Sequence, residues 1–249
     1  MNIVEWFLDP ARWSGPDGIP QLMLDHIGYT AMAAAAALVI AMPLGLFIGH
    51  TGKGTFAIAG LANSLRALPT LGLLILAVVV IAPYLGEDLA FVVPSLIVLV
   101  VLAIPPIMVN TYAGIRGIDP AVRDAAYGIG MRPLQVLVQV EIPCALPLII
   151  SGVRSATLQI VSTATVAAYV SLGGLGRYII DGQAQLDYTM MVAGALLVAL
   201  LAVAVEGALL VVERLVVSRG LTRRWRTSAT TRSAAGRGNA TEPRALVHS

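Results

Sequence analysis

The chain has 249 residues, of which 57% are hydrophobic and 12% charged, with a mean hydropathy of +0.84; a soluble domain carries roughly 25% charged residues, so a water-soluble globular protein is excluded. The formal net charge of +2 does not call for nucleic acid, and the single cysteine, Cys144, excludes an internal disulfide and leaves a thiolate metal site short of partners. The charges sit in a few clusters separated by apolar runs of about 20 residues, the length that crosses a hydrocarbon core, which predicts a multi-spanning membrane protein.

The opening "MNIVEWFLDP" has no positive n-region, and the apolar run from Ile27 is too long for a signal-peptide h-region. The first span is therefore expected to stay in the protein. Ahead of it, in segment 1–26, Ile3, Trp6, Phe7 and Trp13 follow rough helical spacing with Glu5, Asp9 and Arg12 between them. That pattern suits a short helix lying in the interface, and a disordered arm fits it equally.

Hydropathy predicts spans near Ile27 to His50, Leu65 to Ala82, Leu89 to Asn110, Pro147 to Val170 and Tyr188 to Val217. Lys53, Arg66, Arg116, Arg123, Arg132 and the tail arginines then fall on one side, whereas only Arg12 and Arg177 fall on the other, so the N-terminus is expected outside and the C-terminus inside. The first span, "AMAAAAALVIAMPLGLFIG", offers small-residue surfaces for close helix packing. Pro43, Pro69, Pro94, Pro105 and Pro106 lie in or near spans, where other helices or internal water must satisfy the freed carbonyls. The tail 218–249 is rich in Arg, Ser, Thr, Gly and Ala and is expected to be a disordered, basic cytoplasmic extension.

"GHTGKGT", from Gly49, resembles the end of a phosphate-binding loop, but Phe47 stands where its first glycine is required and Gly54 where Ser or Thr is required. "GIGMRP" lacks the third glycine of a dinucleotide fingerprint. His26, His50 and His248 are far apart and separated by the predicted membrane, so neither a His-based metal site nor a catalytic triad is supported. No catalytic residue is expected in this chain.

Ionisable groups inside spans are costly unless paired or hydrated. Arg154 and Gln159 in the fourth span and Glu206 in the fifth lie at depths where Glu206 can meet either of them. Ser155, Thr157, Ser162, Thr163 and Thr165 add hydroxyls that either line a passage or bond back to their own helix. Arg154, Gln159, Ser162, Thr163 and Glu206 are the candidates for a translocation path.

The central connection, 111–146, carries its own helix punctuation. Asp119 is placed to cap and Pro120 to open a helix through "AVRDAAYGIG". Val122, Ala125, Ala126 and Ile129 share one face, Arg123, Asp124 and Tyr127 point elsewhere, and Gly128 and Gly130 end the helix. A second short helix is expected from Pro133 to Ile142, stopped by Pro143. The product is an elbow at the membrane surface, shaped to dock in another protein's groove; an ordinary surface loop satisfies the same residues.

"DAAYGIG" followed by "VEIP" resembles the inner-loop signature of permease subunits of binding-protein-dependent ABC importers. Asp124, Ala125 and Ala126 stand for its Glu-Ala-Ala, Gly130 for its glycine, and Val140, Ile142 and Pro143 for its end, with Asp in place of the usual Glu. "NSLRALPTLGLLIL", "IPPIMVNTYAGI" and "ATVAAYVSLGGLGRYIIDG" are similar to the osmoprotectant branch, whose members import glycine betaine, carnitine, choline or proline. The resemblance implies an all-α type I importer permease with about five spans in 27–217. It also implies that the short helix from Pro120 to Ile129 is a coupling helix seated in a cytoplasmic ATPase, with Asp119, Pro120, Val122, Arg123, Asp124, Ala125, Ala126, Gly130 and Pro143 as the coupling residues. The implied partners are two ATP-binding subunits carrying ATP and Mg, a second permease subunit, and an extracytoplasmic solute-binding protein, all at a bacterial plasma membrane. A permease for methionine or another amino acid is the nearest rival; an ion-coupled transporter or channel, or a membrane enzyme, is a rival from another class.

Overall fold

A computed structural model describes residues 2–56, 60 and 68–217. The basic tail and the expected start of the second span at Leu65 lie outside them. The described residues form α1 (Ile3–Leu8), a 3-10 turn, α2 (Ile19–Thr51), α3 (Thr70–Ile81), α4 (Val92–Arg116), α5 (Pro120–Gly128), α6 (Pro133–Val136), α7 (Ile142–Ala167), α8 (Gly176–Gln185) and α9 (Tyr188–Val216). Four of the resulting helical stretches are long and apolar enough to cross a membrane, and the stretch Thr70–Tyr84 is a shorter apolar helix among the described residues.

Several helices run beyond the predicted spans, and the prolines within them do not break them. Pro43 lies inside α2, Pro105 and Pro106 inside α4, and Pro147 inside α7. In hydrocarbon an ended helix would expose its last carbonyls to lipid, which costs more than one missing ladder bond. α4 also runs on to Arg116, past the expected end at Asn110. Pro143 likewise fails to stop the second elbow helix: residues Pro133–Val170 form one 38-residue helical stretch. A π turn at Leu137–Glu141, in which Ile142 N–H reaches Leu137 C=O, directly precedes Pro143. The widened turn relieves the clash a proline ring makes with the carbonyl four residues back.

α4 packs against both α2 and α7. On α2 the buried small residues Ala33, Ala37, Ala41, Gly45 and Gly49 recur every fourth position. A Cβ at Gly45 would lie 2.9 Å from the Met108 carbonyl oxygen, and one at Gly49 2.8 Å from the Ile115 side chain. The α4–α7 crossing is as tight: a Cβ at Gly114 would come 3.0 Å from the Ala145 methyl. Such contacts let dispersion hold helices together where lipid supplies no hydrophobic drive.

The N-terminal segment is folded. Trp6 on α1 is fully buried, edge-on to Tyr178 of α8 at 5.2 Å, in a cluster with Leu22, Met190 and Ala193. Arg177 pairs with Asp17 at 3.0 Å and Tyr178 Oη donates to the Asp17 carbonyl at 2.7 Å. Of the expected interfacial residues, Trp13 remains exposed.

Candidate functional site

The elbow is fixed at both ends. Asp119 Oδ1 accepts from Ala121 N–H at 2.9 Å, and Pro120 occupies the first turn of α5, where its missing N–H is harmless. After the C-cap Ile129, Gly130 takes φ +87°, which brings its N–H to the Tyr127 carbonyl at 2.9 Å and the Met131 N–H to the Ala126 carbonyl at 3.2 Å. This paired closure needs a left-handed residue, the conformation glycine adopts without penalty.

The expected single apolar face is divided. Ala126 turns inward and is buried, whereas Val122, Ala125 and Ile129 are exposed, Ile129 at 81%. Asp124 is exposed beside them. Arg123 does not project to solvent but reaches back into the membrane domain.

There it meets Glu141, the last residue of the π turn, which is 1% exposed. Arg123 Nε donates to Glu141 Oε1 at 2.6 Å, and the guanidinium also donates to the Ile115 carbonyl at the end of α4. The other carboxylate oxygen lies 2.6 Å from His50 Nδ1 in the last turn of α2. A carboxylate only accepts, so the imidazole presents its Nδ1–H. One buried carboxylate thus ties the elbow to α2, with Arg123 adding α4.

Within the membrane, Arg154 of α7 pairs with Glu206 of α9 at 3.4 Å and with Glu213 at 3.2 Å. Two carboxylates share one guanidinium, and Glu206 Oε2 is buried without a hydrogen-bond partner. Removing Arg154 would leave both acids uncompensated in apolar surroundings, where insertion of a charge costs about 2.5–3.5 kcal/mol. Arg154→Gln should therefore lower the melting midpoint of the detergent-solubilised chain, and adding Glu206→Gln should recover part of the loss, since contacting residues are not additive. Equal, additive losses would count against the pair.

Ser155, Gln159, Ser162, Val166 and Tyr169 are exposed along one stripe of α7 and its 3-10 extension, polar except for Val166. Thr163 is buried on another face. Ser155, Thr157 and Thr165 hydroxyls donate to the carbonyls four residues back. The hydroxyls are thus sorted by position: a polar stripe faces out of the fold, and the others sit in the packing.

Among the described residues no group of three or more His, Cys, Asp or Glu is placed to hold a metal ion. A bundle of apolar spanning helices with a rigidly capped amphipathic elbow at one end defines a membrane permease component. The family model described as "Binding-protein-dependent transport system inner membrane component" matches residues 41–218, and the chain belongs to that family. It is 33% identical to a choline transport system permease protein of Bacillus subtilis over 80% of this chain and 88% of that one. It is likewise 33% identical to a glycine betaine/carnitine/choline transport system permease protein of the same organism, over 79% and 88%. An osmoprotectant import permease protein of Salmonella typhimurium is 31% identical, over 83% and 93%. The fold matches the MetNI methionine ABC transporter in an inward-facing conformation, with a TM-score of 0.72 at 20% identity, covering 84% of this chain and 99% of that one.

Proposed function

We propose that this chain is the membrane-spanning subunit of an ATP-driven importer of compatible solutes such as glycine betaine, carnitine, choline or proline in a bacterial plasma membrane. The observation that carries the reading is the α5 helix, closed at both ends and presenting Val122, Ala125 and Ile129 outward, in a chain similar over most of its length to permeases named for these solutes. ATP and Mg bind to separate cytoplasmic subunits that grip α5, with Asp124 at the edge of the contact. A second permease subunit completes the path, and an extracytoplasmic binding protein delivers the solute. The arginine-rich side, with the C-terminus, is cytoplasmic.

The stripe Ser155, Gln159, Ser162 and Tyr169 lines the path toward the second subunit. Its side chains are neutral and, apart from Val166, polar, which suits a zwitterion or a methyl-shielded ammonium that needs no strong counter-charge. The Arg154–Glu206 pair stands beside the stripe, and Thr163 supports it from the packed face. In a Cys144→Ala background, Ser155→Cys, Gln159→Cys and Ser162→Cys should react with a polar thiol reagent, and Ala156→Cys, Ile160→Cys and Thr163→Cys should not. Labelling without helical period would sink this placement.

The function is tested by ATP-dependent uptake of radiolabelled glycine betaine, carnitine, choline and proline, with methionine as comparator, in cells making the complete complex. Uptake of at least one of the four is expected. Uptake of methionine alone would move the chain to the amino-acid branch.

A further inference from the structure

The Glu141 cluster includes none of the exposed α7 stripe and none of the exposed elbow face, yet it joins parts of the chain 91 and 18 residues distant from it. We propose that Glu141 is a positioning residue that makes the elbow, the start of α7 and the end of α2 move as one body, so that force on α5 reaches the first long helix through His50. This rests on the transport reading above and names the residues that would carry the coupling.

The geometry supports a mechanical link in three ways. Both oxygens of Glu141 are engaged, one by Arg123 and one by His50, at 2.6 Å each. The carboxylate is 1% exposed, whereas Arg123 and His50 are 20% and 18% exposed, so water cannot replace a lost partner at the acid although it can at the bases. Beneath the cluster, Ile115, Ala145 and Ile149 form an apolar floor with Leu46. Gly49, next to His50, is pressed against Ile115, whose carbonyl takes the other end of Arg123. Rotating α5 away from the domain would pull Arg123 from both acceptors and strand a buried carboxylate. Movement that keeps the contacts must carry α2 with it. Arg123 is therefore a membrane-domain anchor, and the ATPase contact falls to Val122, Asp124, Ala125 and Ile129.

The test uses the full chain in complex with its ATPase and binding-protein partners in lipid vesicles, with Glu141→Gln, His50→Leu and His50→Asn. Asparagine places an amide N–H near the Nδ1 position; leucine does not. The readouts are solute imported per ATP hydrolysed, with radiolabelled glycine betaine, carnitine, choline and proline supplied together, and the rate of tryptic cleavage after Arg123 relative to the exposed Arg116. Expected in Glu141→Gln and His50→Leu is import per ATP lowered at least about fivefold, the lower end of ordinary coupling between sites, and a raised Arg123 to Arg116 cleavage ratio. His50→Asn should stay near wild type in both.

Unchanged import per ATP in Glu141→Gln and His50→Leu overturns the relay. Equal loss in His50→Asn and His50→Leu, with equal loss of assembled complex, also overturns it, because the cluster would then be a packing determinant. If the wild-type complex imports none of the four solutes, the transport reading falls and the relay with it. The cleavage ratio then reports the structural link alone, so the two failures are told apart.

Discussion

Gly130→Val should cut solute uptake by roughly tenfold while the chain still reaches the membrane in normal amount. Gly130 holds φ +87° and no heavy atom lies within 4 Å of a Cβ built on it, so the cost of a side chain in the isolated chain is backbone strain alone. A left-handed non-glycine residue costs about 1–2 kcal/mol, more for a β-branched one, and one to two kcal/mol is a factor of about 5–30 in an equilibrium. That strain falls on the two hydrogen bonds that close α5 and on the turn leading to Pro133.

The ranking of substitutions identifies the cause. Asparagine tolerates the left-handed region better than alanine, so a backbone origin predicts uptake in the order Asn above Ala above Val. A steric collision with an ATPase seated over the glycine predicts Ala above Asn. Aspartate is a poor choice for this test, since it shares asparagine's tolerance and adds a charge. Uptake of the four solutes, with membrane levels matched by blotting, decides the matter; wild-type uptake by Gly130→Val would remove the elbow closure from the coupling argument.

What could be read from the sequence follows from how few solutions lipid permits. The apolar runs located the spanning helices, and Asp119, Pro120 and Gly130 located α5, because caps and left-handed turns are local chemistry. The expected start at Pro147 falls inside a longer helix, since in water a proline near a boundary is punctuation and in hydrocarbon it is absorbed; α4 outruns Asn110 because a helix continues past the apolar run that hydropathy detects. Depth along two antiparallel helices leaves Glu206 either Gln159 or Arg154, and the structure pairs it with Arg154. Glu213, one turn from the end of α9, is the second acid on Arg154, and the sequence reading did not single it out.

Glu141 was harder still. It sits inside "VEIP", where the pattern-bearing positions are its neighbours, and its partner His50 is 91 residues away. The three histidines do not meet one another in sequence, and the pairing that matters joins His50 to an acid across the fold. The available signal was energetic: a carboxylate in an apolar stretch running into a membrane helix must find a cation. Several cations lie on the same side of the predicted membrane, Lys53, Arg116 and Arg132 among them, and only the fold selects Arg123 and His50.

Gly152→Leu should destabilise the domain strongly. A Cβ at Gly152 would lie 2.7 Å from Asn110 Cβ and 2.9 Å from the Pro106 carbonyl oxygen, and that oxygen is also bonded by Asn110 Nδ2 at 2.7 Å. Neither obstacle is the free end of a flexible side chain, so α4 and α7 would have to separate, and their shared core of Leu99, Ala103, Ile107, Ala156 and Ile160 would open with them. Overpacking of this kind costs about 1–3 kcal/mol for a methyl group and more for a larger side chain. At the upper figure the melting midpoint of the solubilised chain would fall by about 6–12 °C, with a matching loss of the monodisperse peak in size exclusion. Gly207→Leu is the control, because Gly207 on the exposed face of α9 meets nothing within 4 Å and gains about 1 kcal/mol of helix propensity. A melting point for Gly152→Leu equal to that of Gly207→Leu would mean that α4 and α7 do not cross at this glycine. If instead Gly207→Leu leaves the isolated chain intact but prevents assembly of the complex, the open face of α9 is covered by a partner chain rather than by lipid.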